Sequence, residues 1–168
     1  MIWQFCGSGE LPEMVVVSDT SAISALLQIG RAEMLQDLYG DLIIPSAVEI
    51  ELRRSHPCIP DFIKVLAVED CPALQLRCVT LDKGEAHAIT LAEQLQADLL
   101  LIDERKGRLA ADEAGICYIG LVGALIEAKR RGVITNLGDL LSLIMTHAGF
   151  RLSETLRIAV LRSVGEIE

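Results

Sequence analysis

The chain has few aromatic side chains: one Trp, two Tyr and three Phe make up 4% of 168 residues, although 51% of the residues are hydrophobic. A core of that kind must be built from Leu, Ile, Val and Ala, which favours α/β or all-helical packing over a small β-sandwich. Positive charge is also scarce. Fifteen Lys and Arg face 24 Asp and Glu, for a formal charge of −9. This excludes a global electrostatic attraction for nucleic acid, so any phosphate contact must come from a local cluster. The candidates are Arg53-Arg54, Lys106 with Arg108, and Lys129-Arg130-Arg131. The cysteines, at 6, 58, 71, 78 and 117, form no C-x-x-C pair. Their odd count argues against a disulfide framework. No signal-peptide pattern is present, nor an apolar run near the ~18 residues needed to span a bilayer, and a reducing cytoplasm is expected. His56-Pro57-Cys58 lacks a second ligand pair at zinc spacing and reads as a loop.

What is present is a regular alternation. Residues 1–13 show no periodicity and precede a second methionine, Met14. They read as an N-terminal extension or an incorrectly assigned start, ahead of one domain over 14–168. From there the pattern predicts a strand at Val15–Ser18, helices at Ser21–Gln28 and Ala32–Tyr39, a strand at Leu42–Ile44 and a helix at Ala47–Arg54. Residues 55–80 hold three prolines and little periodicity, with a short strand at Val65–Val68 and a helical turn at Ala73–Cys78. Regularity returns with helix 84–95, strand Leu99–Ile102, helix 105–114, strand Cys117–Ile119 and helix 121–131. Strands alternating with helices imply right-handed βαβ units and a parallel sheet. Two amphipathic helices, Leu137–His147 and Glu154–Val164, close the chain, either covering a sheet face or forming a dimer contact.

Four carboxylates interrupt apolar patterns. Val15-Val16-Val17-Ser18 ends at Asp19 and Leu99-Leu100-Leu101-Ile102 ends at Asp103, as at the C-terminal ends of buried parallel strands, where open α/β sheets place their chemistry. Asp19 also suits a helix N-cap, unless Thr20 or Ser21 takes that role. Asp103 has the same alternative, with Arg105 as an ion-pair partner. Ser46 and Glu49 have the spacing of a capping box, whereas Glu51 falls in the stripe of Ala47, Val48 and Leu52. Glu85 continues the stripe of Ala88, Ile89, Ala92 and Leu95, yet Asp82 to Glu85 is also spaced as a capping box. His87 points away, toward the surface or its boundary. If the four acids converge, two anions about 4 Å apart repel by roughly 4 kcal/mol at an effective dielectric near 20. An all-oxygen ligand set suits Mg²⁺ or Mn²⁺ rather than zinc, and such ions act on phosphate oxygens.

Four segments in order then resemble the PIN-domain nucleases: Val16-Val17-Ser18-Asp19-Thr20-Ser21, Ile44-Pro45-Ser46-Ala47-Val48-Glu49-Ile50-Glu51-Leu52, Leu81-Asp82-Lys83-Gly84-Glu85-Ala86-His87-Ala88-Ile89, and Leu100-Leu101-Ile102-Asp103 running on to Ala110. The likeness is to prokaryotic PIN-like proteins related to VapC-type toxins. It implies a three-layer α/β/α fold around a parallel sheet and a metal-dependent endoribonuclease working through metal-activated water. It also implies a role as the toxin of a toxin–antitoxin pair. Carried over by position, Asp19, Glu51, Glu85 and Asp103 are the catalytic and metal-binding acids and Ser21 supports the first. Arg53, Lys106 and Arg108 are candidates for substrate contact. An RNA substrate, a small antitoxin partner and a homodimer are the expected associations. His87, where relatives often carry an acid, and Leu121, where a Thr or Ser is common, depart from the pattern. They keep open a non-catalytic module that acts through dimerisation or partner binding.

Overall fold

A computed structural model describes residues 14–167, so the expected N-terminal extension lies outside the described residues. The elements are β1 (Val16–Ser18), α1 (Thr20–Gln28), α2 (Glu33–Tyr39), β2 (Leu42–Pro45), α3 (Ser46–Ser55), β3 (Ile63–Leu66), α4 (Pro72–Thr80), α5 (Lys83–Leu95), β4 (Leu99–Leu101), α6 (Arg105–Glu113), β5 (Tyr118–Ile119), α7 (Leu121–Arg130), α8 (Leu137–His147) and α9 (Glu154–Ser163). The strands form one parallel sheet in the order β3-β2-β1-β4-β5.

Alternation along the strands separates two cores, because successive side chains point to opposite faces. Val16, Leu42, Ile44 and Leu101 join α1, α2, α7, α8 and α9 on one side. Val17, Ile43, Leu100 and Ile102 meet Ala88, Ile89 and Ala92 of α5 and Ala111 of α6 on the other. With both faces covered, the strands can be apolar throughout, and the result is the expected α/β/α layering. The terminal helices contribute Leu137, Leu140, Leu141, Ile144, Val160 and Leu161 to the first core.

Three local expectations shift. The edge strand starts at Ile63 rather than Val65 because it pairs along Leu42–Pro45, Ile63 opposite Leu42 and Leu66 opposite Pro45. The expected turn at 73–78 is a full helix, α4, opened by Pro72 with the Cys71 sulfur accepting the Leu74 N–H. The Ser46–Glu49 capping box does not form. Pro45 is the N-cap of α3 without a side-chain bond, and Glu49 instead pairs with Arg53 one turn on, at 2.8 Å.

The topology locates a crevice. The chain runs outward from β1 through β2 to β3, then returns to β1's other side with β4, so strand order reverses between β1 and β4. In open α/β sheets the crevice beyond the carboxyl ends at that switch is where ligands sit.

Candidate active site

Asp19 and Asp103 follow the two strands that flank the switch. Ser18 is in register with Leu101, and the Asp19 N–H donates to the Leu101 carbonyl at 3.0 Å. Asp19 is the N-cap of α1, its Oδ1 accepting the Ser21 N–H at 3.0 Å, and it is only 2% exposed. Capping and membership of the crevice are therefore compatible, because one oxygen serves the helix. Ser21 supports Asp19 through its backbone N–H. Burial, and then the charge of Asp103, push Asp19 up to about 7, against the hydrogen bonds from the Ser21 and Asp103 backbone.

Glu85, in the first turn of α5, is buried, and its Oε1 has no hydrogen-bond partner among the described residues. The capping box is half made. The Asp82 side chain caps nothing, while its backbone hydrogen bond favours the Glu85 carboxylate. Burial and then the nearby charge of Glu104 raise the carboxyl above its ordinary value, and Lys106 works the other way. Glu51 is half-buried on α3 and accepts a short hydrogen bond from the Thr20 hydroxyl. Two glycines leave room for these acids. A Cβ on Gly84 would lie 2.9 Å from Glu51 Oε2, and one on Gly107 would lie 2.9 Å from Glu85 Oε1 and 2.4 Å from Ile102 Cδ1.

Asp19, Thr20, Ser21, Glu51, Asp82, Gly84, Glu85 and Glu104 line a cleft of about 80 Å³. At ~30 Å³ per water in the liquid, that is space for an ion with some of its water shell. Asp103 is not part of this lining. Both its oxygens lie 3.1 Å from the Leu121 N–H at the start of α7, and Oδ1 also takes Arg108 Nη2 at 3.1 Å. Its ion-pair partner is Arg108 and not Arg105, since Arg108 reaches back from the first turn of α6. Burial raises the Asp103 carboxyl, while Leu121 and Arg108 pull it down.

Among the described residues, no three His, Cys, Asp or Glu side chains are grouped so that they could hold a metal ion as placed. Asp19, Glu51 and Glu85 thus share one cleft without converging as a finished cage, and Asp103 lies outside its lining. This open donor set fits Mg²⁺ or Mn²⁺, which keep several waters and take few carboxylates. The unpartnered Glu85 oxygen is the observation that fits a cation directly.

The other expected residues divide. Lys106 is exposed beside Glu85, Arg108 is held at Asp103, and Arg53 is 54% exposed in its pair with Glu49, outside the cleft lining. His87 is at the boundary, its Nδ1 donating to the Lys83 carbonyl at 2.7 Å. The Leu121 side chain is fully buried, and its contribution to the site is the backbone N–H. His56 ends α3, 3.0 Å from the Ser24 hydroxyl, and Cys58 is an exposed free thiol. Sequence reasoning missed Thr20 and Glu104. Thr20 follows Asp19 directly and Glu104 follows Asp103, so their positions in the two βα turns were the available signal.

A family model described as a PIN domain, DUF3368, matches residues 15–166. Among solved structures, the chain is similar to a PilT N-terminus domain protein from the hyperthermophilic archaeon Sulfolobus solfataricus. That match has 20% identity and a TM-score of 0.49, covering 84% of this chain and 100% of the other. No curated protein matches the chain.

Proposed function

Because the chain belongs to the PIN-domain family, whose members are typically nucleases, we propose that it is a Mg²⁺- or Mn²⁺-dependent endoribonuclease acting at the crevice beyond β1 and β4. The carrying observation is Glu85 Oε1, a buried carboxylate oxygen without a donor, in a cleft shared with Asp19 and Glu51. A buried anion in that position is costly unless it is protonated, paired or ligated.

In this proposal Asp19, Glu51 and Glu85 hold the ion, with Asp103 behind Asp19. A bound divalent ion supplies Lewis acidity to a phosphodiester and to water. The chain's own residues set the geometry. The Ser21 and Asp103 backbones fix Asp19, the Thr20 hydroxyl orients Glu51, and α5 carries Glu85 on a rigid first turn. Lys106 and Arg108 supply the positive charge that faces substrate phosphates, as the net charge of the chain does not. The test is cleavage of single-stranded RNA in Mn²⁺ by the wild type and by Asp19→Asn. Cleavage is expected to require the ion and to disappear in the variant. Equal cleavage by the variant in chelator overturns the assignment.

The same proposal includes a toxin role, a small antitoxin partner, a homodimer and a reducing cytoplasm. Supporting these are the exposed Leu143 and Leu156 on α8 and α9 and the free thiols of Cys58, Cys71, Cys78 and Cys117. Among the described residues, no helix is long and apolar enough to cross a membrane. Sedimentation of the purified chain, and of the chain co-expressed with an adjacent small gene product, tests the associations.

A further inference from the structure

Arg108 is held more firmly than a surface charge needs to be. Its Nε donates to the Ile102 carbonyl at 3.1 Å and its Nη2 to Asp103 Oδ1 at 3.1 Å. Two acceptors on the turn between β4 and α6 therefore fix the plane of the guanidinium. Gly120 makes the contact sterically possible, because a Cβ there would fall 2.1 Å from Arg108 Nη2 and 2.5 Å from Asp103 Oδ1. From the other side, the Leu121 N–H faces both Asp103 oxygens, and the partial positive charge at the start of α7 adds to the attraction. Asp103 thus already has a cation and a helix terminus.

The acids across the crevice are supplied differently. Among the described residues, Glu85 Oε1 has no donor, Glu51 has the Thr20 hydroxyl, and Asp19 has backbone N–H groups. Among the described residues, no Lys or Arg lines the cleft. The unmet need for positive charge therefore falls on the Asp19 and Glu85 side. Two-metal sites place their ions about 3.5–4 Å apart and share a carboxylate between them. Asp103, beside Asp19, is the natural residue for that sharing, and its oxygens are already occupied.

We propose that Arg108 is the permanent second cation of this site, so that the cleft binds one divalent ion, on the Asp19 and Glu85 side, where an unblocked Asp103 would admit two. The inference rests on the metal-dependent reading above and deepens it. A guanidinium keeps its charge at every pH the fold survives and presents several donors in a fixed fork. With 38% of its side chain exposed, Arg108 can hold Asp103 and still offer N–H groups to a phosphodiester oxygen.

Titration calorimetry with Mn²⁺, on the full chain without RNA, decides the matter. The wild type is expected to bind one ion, Arg108→Met two, and Arg108→Lys one, since its ammonium still faces Asp103. Mn²⁺ anomalous scattering is expected to place the wild-type ion at Asp19 and Glu85 and the additional ion of Arg108→Met at Asp103. Two ions in the wild type, or a single ion in Arg108→Met at any affinity, overturns the proposal. Should Arg108→Met fail to fold, Arg108→Gln takes its place with the same expectation. A wild type that binds no Mn²⁺ removes this inference together with the metal-dependent nuclease. A wild type that cleaves RNA and binds one ion, with Arg108→Met also binding one, removes this inference alone.

Discussion

Glu85 and Glu166 are both carboxylates brought against the start of a helix, and the fold treats them in opposite ways. Glu166 reaches the start of α8, where it accepts the Leu137 and Gly138 N–H groups at 2.6 and 2.8 Å and pairs with Lys129 at 2.8 Å. Burial works to raise its carboxyl, but Lys129 and the two backbone donors outweigh that and hold it below its usual value. Glu85, the more deeply buried of the two, has one favourable backbone contact, an acidic neighbour and an oxygen without a donor among the described residues, and it is raised. Desolvation raises both, more at the deeper Glu85, and only at Glu166 do a cation and two backbone donors reverse it. One carboxylate is a finished structural clasp. The other is left short of positive charge, which is the condition expected of a ligand.

The contrast can be broken most forcefully at Glu85. Glu85→Gln is expected to lower RNA cleavage on the order of 100-fold or more. In chelator it should leave the fold as stable as wild type, or more stable by about 1 kcal/mol, because it removes a buried charge with too few donors. Initial rates and urea midpoints check both halves, and near-normal cleavage would place Glu85 with the structural acids.

Acidity provides a second comparison. Asp19 moves from 3.8 to about 7 on folding, so the folded state binds the extra proton between those values. Metal-free stability should therefore fall as pH rises through that window, by as much as roughly 4 kcal/mol, and level off above it. Glu166, being lowered, contributes stability above its ordinary value and loses it as pH falls through the folded one. Denaturant midpoints of wild type minus those of Asp19→Asn isolate the first effect. A difference that stays flat from pH 4 to 8 contradicts it.

The smallest effect belongs to the clasp. Glu166→Gln is expected to cost about 1.5–3 kcal/mol, the range for hydrogen bonds to a charged group, with cleavage unchanged. If its cleavage fell as far as that of Glu85→Gln, the two regions would not be separable.

The sequence made the central strands legible because their signal is coarse. An apolar run that stops at an Asp describes both β1 and β4, whereas their adjacency comes from the reversal of strand order, which βαβ alternation alone does not give. Hydrogen-bond partners were less legible. Spacing suggested that Ser46 excused Glu49, but Pro45 begins α3 and Arg53 claims Glu49. Spacing likewise nominated Arg105 for Asp103, although the helical turn presents Arg108 instead. Helix α4 was underestimated because Leu76 and Val79 are 72% and 80% exposed and Leu74 is its one buried residue, leaving little amphipathic pattern to detect. The separation of Asp103 from the cleft lining depends on the start of α7, 18 residues away. No local rule reports such a contact.

The strand order also bears on how the crevice is assembled. Val16 pairs with Leu42 across a short excursion, but with Leu99 only after α1 through α5 have intervened. Closing the longer loop carries the greater entropic cost, and Asp19 and Asp103 meet only when it closes. Their mutual repulsion is absent while β1 and β2 are paired alone, and it appears with the pairing of β1 and β4. A cation that relieves it acts on the lifetime of that junction, so its kinetic signature is slower unfolding rather than faster formation of the first strand pair.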